Sequence, residues 1–362
     1  MNHAVSVMLV LGVALSGPAS AGDEENKKSW AELGDGFQIE SADGENTLRI
    51  GARIQLRSTL EDPEIGSSRT SFRVRRLKFK LSGRVLGQVD YKIQANLAGG
   101  SVTLEDALLV YTKKPLLRLW AGQGKIFFGR QNLTSSGHQQ FVDRSIVSNV
   151  IEAARDQGVA LIGQNTHKTF EYQIGVYNGN GINASSNDDD HLQYTGRVVF
   201  TPLGEYPAEE SALDRPESSR LALGAKILLE EVDDMLGTVT DKTLAGVEVA
   251  YKIGGFNTVA EYFHRTDDVT VMALSTETDT DVYYVQLAYL FAGKPIEVAL
   301  RLAEIRPDVA GPSMDRRETG AAVSWYLKKH AHKLQFDLRK LEDDGNPAND
   351  TTEARLQLQL AF

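Results

Sequence analysis

The sequence contains no cysteine and, beyond its first fifteen residues, no long apolar run. Without cysteine, neither a disulfide framework nor a thiolate metal site is available. A membrane-spanning helix needs about 20 consecutive apolar residues, which excludes a bundle of such helices. Hydrophobic residues make up 41% of the 362 residues and charged residues 24%, as in an ordinary folded protein. The net charge of −10 argues against general nucleic-acid binding, so any anion site must be a local basic patch.

The one apolar run lies at the N-terminus, at residues 4–15. It is followed by a Gly-Pro pair at 17–18 and by the small residues 19–21, which is typical of a signal peptide and its cleavage site. We therefore predict a signal peptide at residues 1–21, cleaved after Ala21. A buried apolar N-terminal helix is the alternative.

From residue 47 onward, apolar and polar residues alternate in segments about ten residues long, the period of a strand with one apolar face. The last segment is the clearest, with three Leu and Phe362 on one face and Arg355, Gln357 and Gln359 on the other. A soluble β-sandwich shares this pattern, but charged residues recur opposite the aliphatic face, as a water-filled lumen requires. The sixteen predicted strands are 47–59, 72–86, 88–97, 104–113, 116–127, 155–165, 168–178, 191–201, 219–230, 242–253, 255–266, 279–291, 295–305, 317–328, 332–342 and 351–362.

The connections between these segments alternate between short turns and longer polar loops, as in single-chain bacterial membrane barrels. The predicted long loops are 61–69, 98–103, 128–154, 178–190, 231–241, 266–278, 306–316 and 342–350. One connection, 202–218, falls on the short-turn side although it is long and interrupted by proline. We predict an all-β protein, a transmembrane antiparallel β-barrel of about 16 strands over residues 47–362, preceded by a periplasmic segment at 22–46.

No catalytic or metal-binding constellation is evident. The pair His330 and His332 lies in a lysine-rich turn and lacks further ligands, so we expect neither a metal nor a cofactor. Ser135 and Ser136 lie near His138, which leaves a barrel enzyme acting on lipids as an alternative. Nothing nearby supplies an orienting acid, and we therefore expect no enzyme activity.

Basic residues are concentrated on the second segment, where Lys78 and Lys80 should point into the lumen. The alternation slips at Arg75 and Arg76, which favours a β-bulge there. In a membrane barrel the face opposite the lipid is the lumen, and lysine and arginine rings in a lumen select for anions. Acidic residues share the inward face and make this bias partial: Asp90, Glu230, Glu261 and Asp337.

The longest loop, 128–154, is predicted to fold into the barrel as an inward third external loop and to form the constriction. It carries Arg130 and Arg144, with Lys125 at its entrance. A loop of this length is usually functional or disordered, and this one has too many apolar residues to be merely solvated.

The region around this loop resembles the phosphate-selective porin O/P family. The similar stretches are 122–136, 141–144, 155–159, 175–179 and 324–327, and the resemblance extends from about residue 48 to 362. It implies a homotrimeric, water-filled barrel in which Lys125 is a constriction lysine and Arg75 and Arg76 belong to a basic ladder. The terminal Phe362 resembles the signature recognised by the barrel assembly machinery.

The sequence thus predicts a Gram-negative outer-membrane porin, surrounded by outer-membrane lipid, through which small hydrophilic solutes diffuse passively. Lumenal lysine and arginine predict a preference for anions such as phosphate or polyphosphate. A general non-selective porin is the main alternative. A barrel lipid hydrolase and a plugged structural or adhesive barrel are the others.

Overall fold

The computed structural model describes residues 29–32, 36–150, 154–207, 209–234 and 237–362. The predicted signal peptide lies outside these residues, as do residues 22–28 and 33–35 of the predicted periplasmic segment. Two short strands, β1 (Ser29–Glu32) and β2 (Gly36–Glu40), precede the barrel.

Sixteen further strands form one closed antiparallel sheet, β3 to β18, in which each strand pairs with its neighbour in sequence and β18 pairs with β3. Each of the sixteen predicted segments overlaps one observed strand, so the predicted barrel is confirmed. The strands are Thr47–Pro63, Arg69–Val85, Val89–Asn96, Thr103–Lys114, Leu117–Gly124, Asp156–Gln164, Phe170–Tyr177, Gln193–Phe200, Arg220–Asp233, Thr238–Ile253, Phe256–Val271, Leu274–Leu290, Ile296–Pro307, Arg316–His330, His332–Asp343 and Thr351–Ala361.

The barrel has its polar face inside and its apolar face outside. On β18, Arg355 and Gln357 are 2% and 1% exposed, whereas Leu356 and Leu360 are 46% and 37% exposed. Arg355 lies directly opposite Asp337 on β17, and its guanidinium donates to both carboxylate oxygens at 2.7 Å. This is the inverse of a soluble protein and matches a strand with lipid on one side and a polar lumen on the other.

The chain's last residue closes the barrel. Phe362 N donates to the carbonyl of Ala52 at 3.0 Å, and Ala52 N donates to the carbonyl of Phe362 at 2.7 Å. Beyond this point β2 takes over the edge of β3, with Phe37 opposite Ile50. Gly36 is required there, because it has φ 78° and a β carbon would lie 2.1 Å from the Ile50 carbonyl oxygen.

Two of the predicted long loops are wrong. Strands β13 and β14 run on to a two-residue turn at Met272 and Ala273, both with positive φ as a type I′ turn demands. Strands β11 and β12 similarly extend to Asp233 and from Thr238. The outer ends of these four strands are polar on both faces. The alternation of apolar and polar residues therefore stops there, although the backbone hydrogen bonds between the strands continue into water.

The connection of residues 201–219, named the periplasmic connection here, lies at the end of the barrel that carries the short turns. That end faces the periplasm in bacterial barrels. The connection is long because it turns into the lumen, where Ser211 and Ala212 are fully buried. Among the residues that the structure describes, helical structure is limited to α1 (Arg130–Leu133), α2 (Val147–Val150) and one 3-10 turn, Pro347–Asn349. In the described part of the chain, none of these is long and apolar enough to span a membrane.

Candidate functional site

Residues 125–155, named the inward loop, connect β7 to β8, and their described part, 125–150 and 154–155, crosses the lumen as predicted. The loop's apolar side chains explain its course, since Phe128 and Phe141 are 0% and 1% exposed against the inner wall. Phe128 packs on Phe263 of β13 with ring centroids 5.6 Å apart. Phe141 lies over Gly320 of β16, where a β carbon would be 3.1 Å from its ring. The strand ends at Gly124, earlier than predicted, because the chain turns inward there.

Acidic side chains on strands β12 to β17, named the far wall, bind the backbone of the inward loop. Glu261 on β13 accepts from the N–H groups of Arg130 and Gln131 at 2.6 and 2.9 Å. In the same way Asp337 on β17 accepts from Val142 N at 3.0 Å. Buried N–H groups require such partners, so these acids are occupied by the loop rather than presented to the pore.

Asp143 attaches the other side of the loop to the basic strands. Its carboxylate binds Arg57 and Arg76 at 2.7 Å each, and Arg75 at 3.3 Å. Burial raises the pKa of Asp143, but Arg76, Arg57 and Arg75 outweigh this and hold the pKa well below its ordinary value. Gln55 of β3 pairs with Arg76 and the next β3 residue with Val74, so Arg75 forms the predicted bulge. The bulge lets two consecutive arginines reach one carboxylate.

Lys125 and Arg144 bind the backbone at the end of α1. Lys125 Nζ donates to the carbonyls of Asn132, Leu133 and Thr134 at 2.5, 3.0 and 3.0 Å. The Arg144 guanidinium donates to the carbonyls of Gln131, Asn132 and Thr134 at 2.9 to 3.3 Å. Burial lowers the pKa of Arg144 to about 10, with Arg76 contributing. Both side chains therefore shape the loop, and their role in anion binding stays a prediction.

Arg130 lies on the opposite side of the loop from Arg75 and Arg76. It binds Glu248 of β12 at 3.2 Å, and its guanidinium lies 4.6 Å from the centre of the Tyr206 ring. The structure thus does not gather the seven predicted basic residues at one point. Lys78 and Lys80 line a cavity, Arg75 and Arg76 bind Asp143, Lys125 and Arg144 bind α1, and Arg130 faces the periplasmic connection.

A basic cavity of about 340 Å³ lies between the inward loop and strands β3 to β5, towards the periplasmic end. Its lining includes Arg49, Arg53, Lys78, Lys80, Lys92, Ser135 and His138, and among the described lining residues there is no Asp or Glu. Lys78 binds Glu105 and Lys92 binds Asp106, both at 2.6 Å, in a group that Arg155 also joins. We name the cations that line the cavity the basic wall: Arg49, Arg53, Lys78, Lys80 and Lys92.

Arg53 was not among the basic residues that the sequence predicted for the site. Its guanidinium donates to the hydroxyls of Ser135 and Ser136 at 3.1 and 2.8 Å, and its Nε is buried without a hydrogen-bond partner. A signal was available, because Arg49, Arg53 and Arg57 are four residues apart and so share one face of β3.

A family model described as phosphate-selective porin O and P matches residues 48–362. The chain belongs to this family. Its members are porins, so the protein is an outer-membrane channel and not an enzyme. No curated protein matches the sequence.

Solved structures share the porin's fold. An anion-selective porin from Comamonas acidovorans has a TM-score of 0.64 at 12% identity, over 88% of this chain and 100% of that one. The outer membrane channel DcaP of Acinetobacter baumannii has a TM-score of 0.62 at 14% identity, over 91% and 100%. OmpF of Salmonella typhi, in complex with daunomycin, has a TM-score of 0.60 at 12% identity, over 88% and 98%. At such identities the likeness establishes the fold.

In this porin Ser135, Ser136 and His138 face the lumen rather than lipid. The serine hydroxyls accept hydrogen bonds from Arg53. The His138 ring stacks on His330 with centroids 4.6 Å apart, and burial together with Lys333 lowers the pKa of His138 to about 4. Among the described residues, no group of three His, Asp or Glu side chains is placed to hold a metal ion.

Proposed function

We propose that this porin passes small hydrophilic anions, phosphate among them, along the basic wall. The observation that carries the proposal is the uneven distribution of charged side chains in the lumen. Carboxylates of the far wall bind the inward loop and nearby cations. The cavity beside β3 to β5 is lined by arginine and lysine, and Glu105 and Asp106, which pair with Lys78 and Lys92, are not among its lining residues. Anions are therefore favoured in this cavity.

The magnitude of the field supports this. A unit charge about 4 Å from an anion is worth about 4 kcal/mol at an effective dielectric constant of about 20. A few lumenal cations of this kind outweigh the distant charges that make the whole protein acidic. Low-dielectric walls also focus the field within a narrow passage.

Arg53 gives the wall its affinity for phosphate-like groups. A guanidinium presents several N–H donors in a plane that matches phosphate oxygens. Its present acceptors are neutral hydroxyls, which a passing phosphate oxygen can replace without breaking an ion pair. A carboxylate partner in that position would compete with the solute.

We further propose the assembly that goes with this function. The signal peptide at residues 1–21 directs export, residues 22–46 lie in the periplasm, and the barrel assembly machinery recognises Phe362. Three copies form a homotrimer, in line with the trimer form described for OmpT of Vibrio cholerae, which shares the fold with a TM-score of 0.59 at 10% identity.

Reversal potentials in planar bilayers under asymmetric KCl test the preference. The wild type should be anion-selective, and Lys80→Glu should reduce that selectivity because it reverses one charge of the basic wall. Lys294→Glu makes the same charge change in an exposed turn and should behave as wild type. Phosphate added to KCl should partly block chloride current.

A reversal potential near zero would instead support a general non-selective porin. A cation-selective wild type, or anion selectivity that Lys80→Glu leaves unchanged, would contradict the role of the basic wall.

A further inference from the structure

The periplasmic connection enters the barrel from the end opposite to the inward loop's entry. It leaves β10 at Thr201 and rejoins the wall at Arg220, and the stretch around Ser211 is buried in the lumen. Burying a serine and its backbone is costly unless the polar groups find partners. Those partners show what the segment does.

Ser211 fixes the connection to the far wall. Its hydroxyl lies 2.9 Å from Glu297 Oε2 and 2.6 Å from the Tyr326 hydroxyl. Its carbonyl accepts from Lys252 Nζ at 2.8 Å. Three strands, β12, β15 and β16, thus hold one residue of the connection.

The next contacts join the connection to the inward loop. Glu210 Oε2 accepts from the backbone N–H of Gln140 at 2.9 Å and from Gln286 Nε2 at 3.1 Å. The Tyr206 ring lies under Arg130, 4.6 Å from its guanidinium, and Lys252 Nζ is 5.1 Å from the same ring. The two inward segments therefore meet at two separate places.

Gln140 of the inward loop contacts the barrel wall as well as the periplasmic connection. Its carbonyl accepts from Ser324 and Gln335 of the wall, at 3.0 and 2.8 Å. Three residues later Asp143 binds the arginines of β3 and β4. A displacement of Gln140 is thereby passed to the residue that faces the basic strands.

We propose that the periplasmic connection is a second inward loop that positions the inward loop from below, with Glu210 as its positioning residue. The periplasmic connection is held by β12, β15 and β16, and the inward loop spans the lumen from Glu261 on β13 to the arginines of β3 and β4. The contact between the two segments thereby sets the width of the passage beside the basic wall. This role concerns the width and steadiness of the passage and does not depend on which ions the passage prefers.

Single-channel recordings of purified porin in planar bilayers test the proposal. Glu210→Ala leaves Gln140 N without its acceptor, and the open channel should show more current noise and a wider spread of conductance. Loss of a buried hydrogen bond of this kind corresponds to about a tenfold rise in the population of displaced loop states. Glu210→Gln keeps an acceptor oxygen and should restore quiet, wild-type openings.

Glu217→Ala is the matched control, since Glu217 belongs to the same connection but is exposed. If Glu210→Ala fails to fold, Tyr206→Leu should give the noisy phenotype by removing the ring under Arg130. Tyr206→Phe should be silent, because the Tyr206 hydroxyl has no hydrogen-bond partner. Folded Glu210→Ala with wild-type conductance and noise, or Tyr206→Leu with quiet openings, would overturn the proposal.

Discussion

Asp143 shows how a single side chain attaches the inward loop to the basic strands. Three guanidiniums that would otherwise repel one another converge on it, and two of them come from consecutive residues at a bulge. Its depressed pKa means that the carboxylate stays charged in the folded protein. The stabilisation is therefore present above the unfolded-state pKa of about 3.9 and is lost only as the pH falls through the lower folded value.

Asp143→Asn should destabilise the porin, because it leaves Arg57 and Arg76 buried without their counter-ion. Breaking a buried ion pair from one side costs roughly 3–5 kcal/mol. The thermal unfolding midpoint should fall at neutral pH and the channel should become noisier. Asp308→Asn, the same change at an exposed outer position, is the control. An unchanged midpoint in Asp143→Asn would show that the arginines do not need this carboxylate.

At the scale of elements, the strands follow from the sequence because a two-residue period with lipid on one side leaves little choice of register. The bulge at Arg75 was predictable for the same reason, as a break in that period. The outer ends of the β11–β12 and β13–β14 hairpins were not predictable from the sequence. Water lies on both of their faces, so the two-residue alternation is lost although the backbone hydrogen bonds between the strands continue. The inward course of the periplasmic connection had no local signal, because its partners lie on strands distant in sequence.

Gly320 on β16 provides the space into which Phe141 packs, so the strand and the loop are matched in shape. Gly320→Leu should push the inward loop away from the far wall, narrow the passage and lower the single-channel conductance. The neighbouring Ala321 points to lipid, and Ala321→Leu should leave conductance unchanged. Equal conductance in the two variants would mean that the loop is not seated on β16.

At the scale of the whole molecule, the net charge and the charge that lines the cavity beside β3 to β5 differ in sign. The net charge is −10, yet the passage beside β3 to β5 is basic. Much of the acidic excess lies on the outer loops and hairpin ends: Asp188, Asp189, Asp190, Asp233, Asp234, Asp267, Asp268, Glu277, Asp308, Asp315, Asp343, Asp344 and Asp350. Net charge alone therefore gives the wrong sign for the lining of this cavity.

The proposed anion preference should weaken as salt concentration rises. The Debye length shrinks from roughly 30 Å at about 0.01 M salt to roughly 3 Å at about 1 M, so lumenal charges act over shorter distances. Reversal potentials at a fixed concentration ratio but increasing mean salt should give a falling anion-to-cation permeability ratio. A ratio independent of salt would point to selection by pore size instead of charge.

The pairing of Phe362 with Ala52 has a practical consequence for anyone handling this protein. The edge of β3 just beyond Ala52 is already taken by β2, so residues added after Phe362 would run directly into Gly36 and Phe37. An affinity tag at the C-terminus would therefore compete with the seam of the barrel. The two-residue turn at Met272 and Ala273 projects outward and is the better place to insert one.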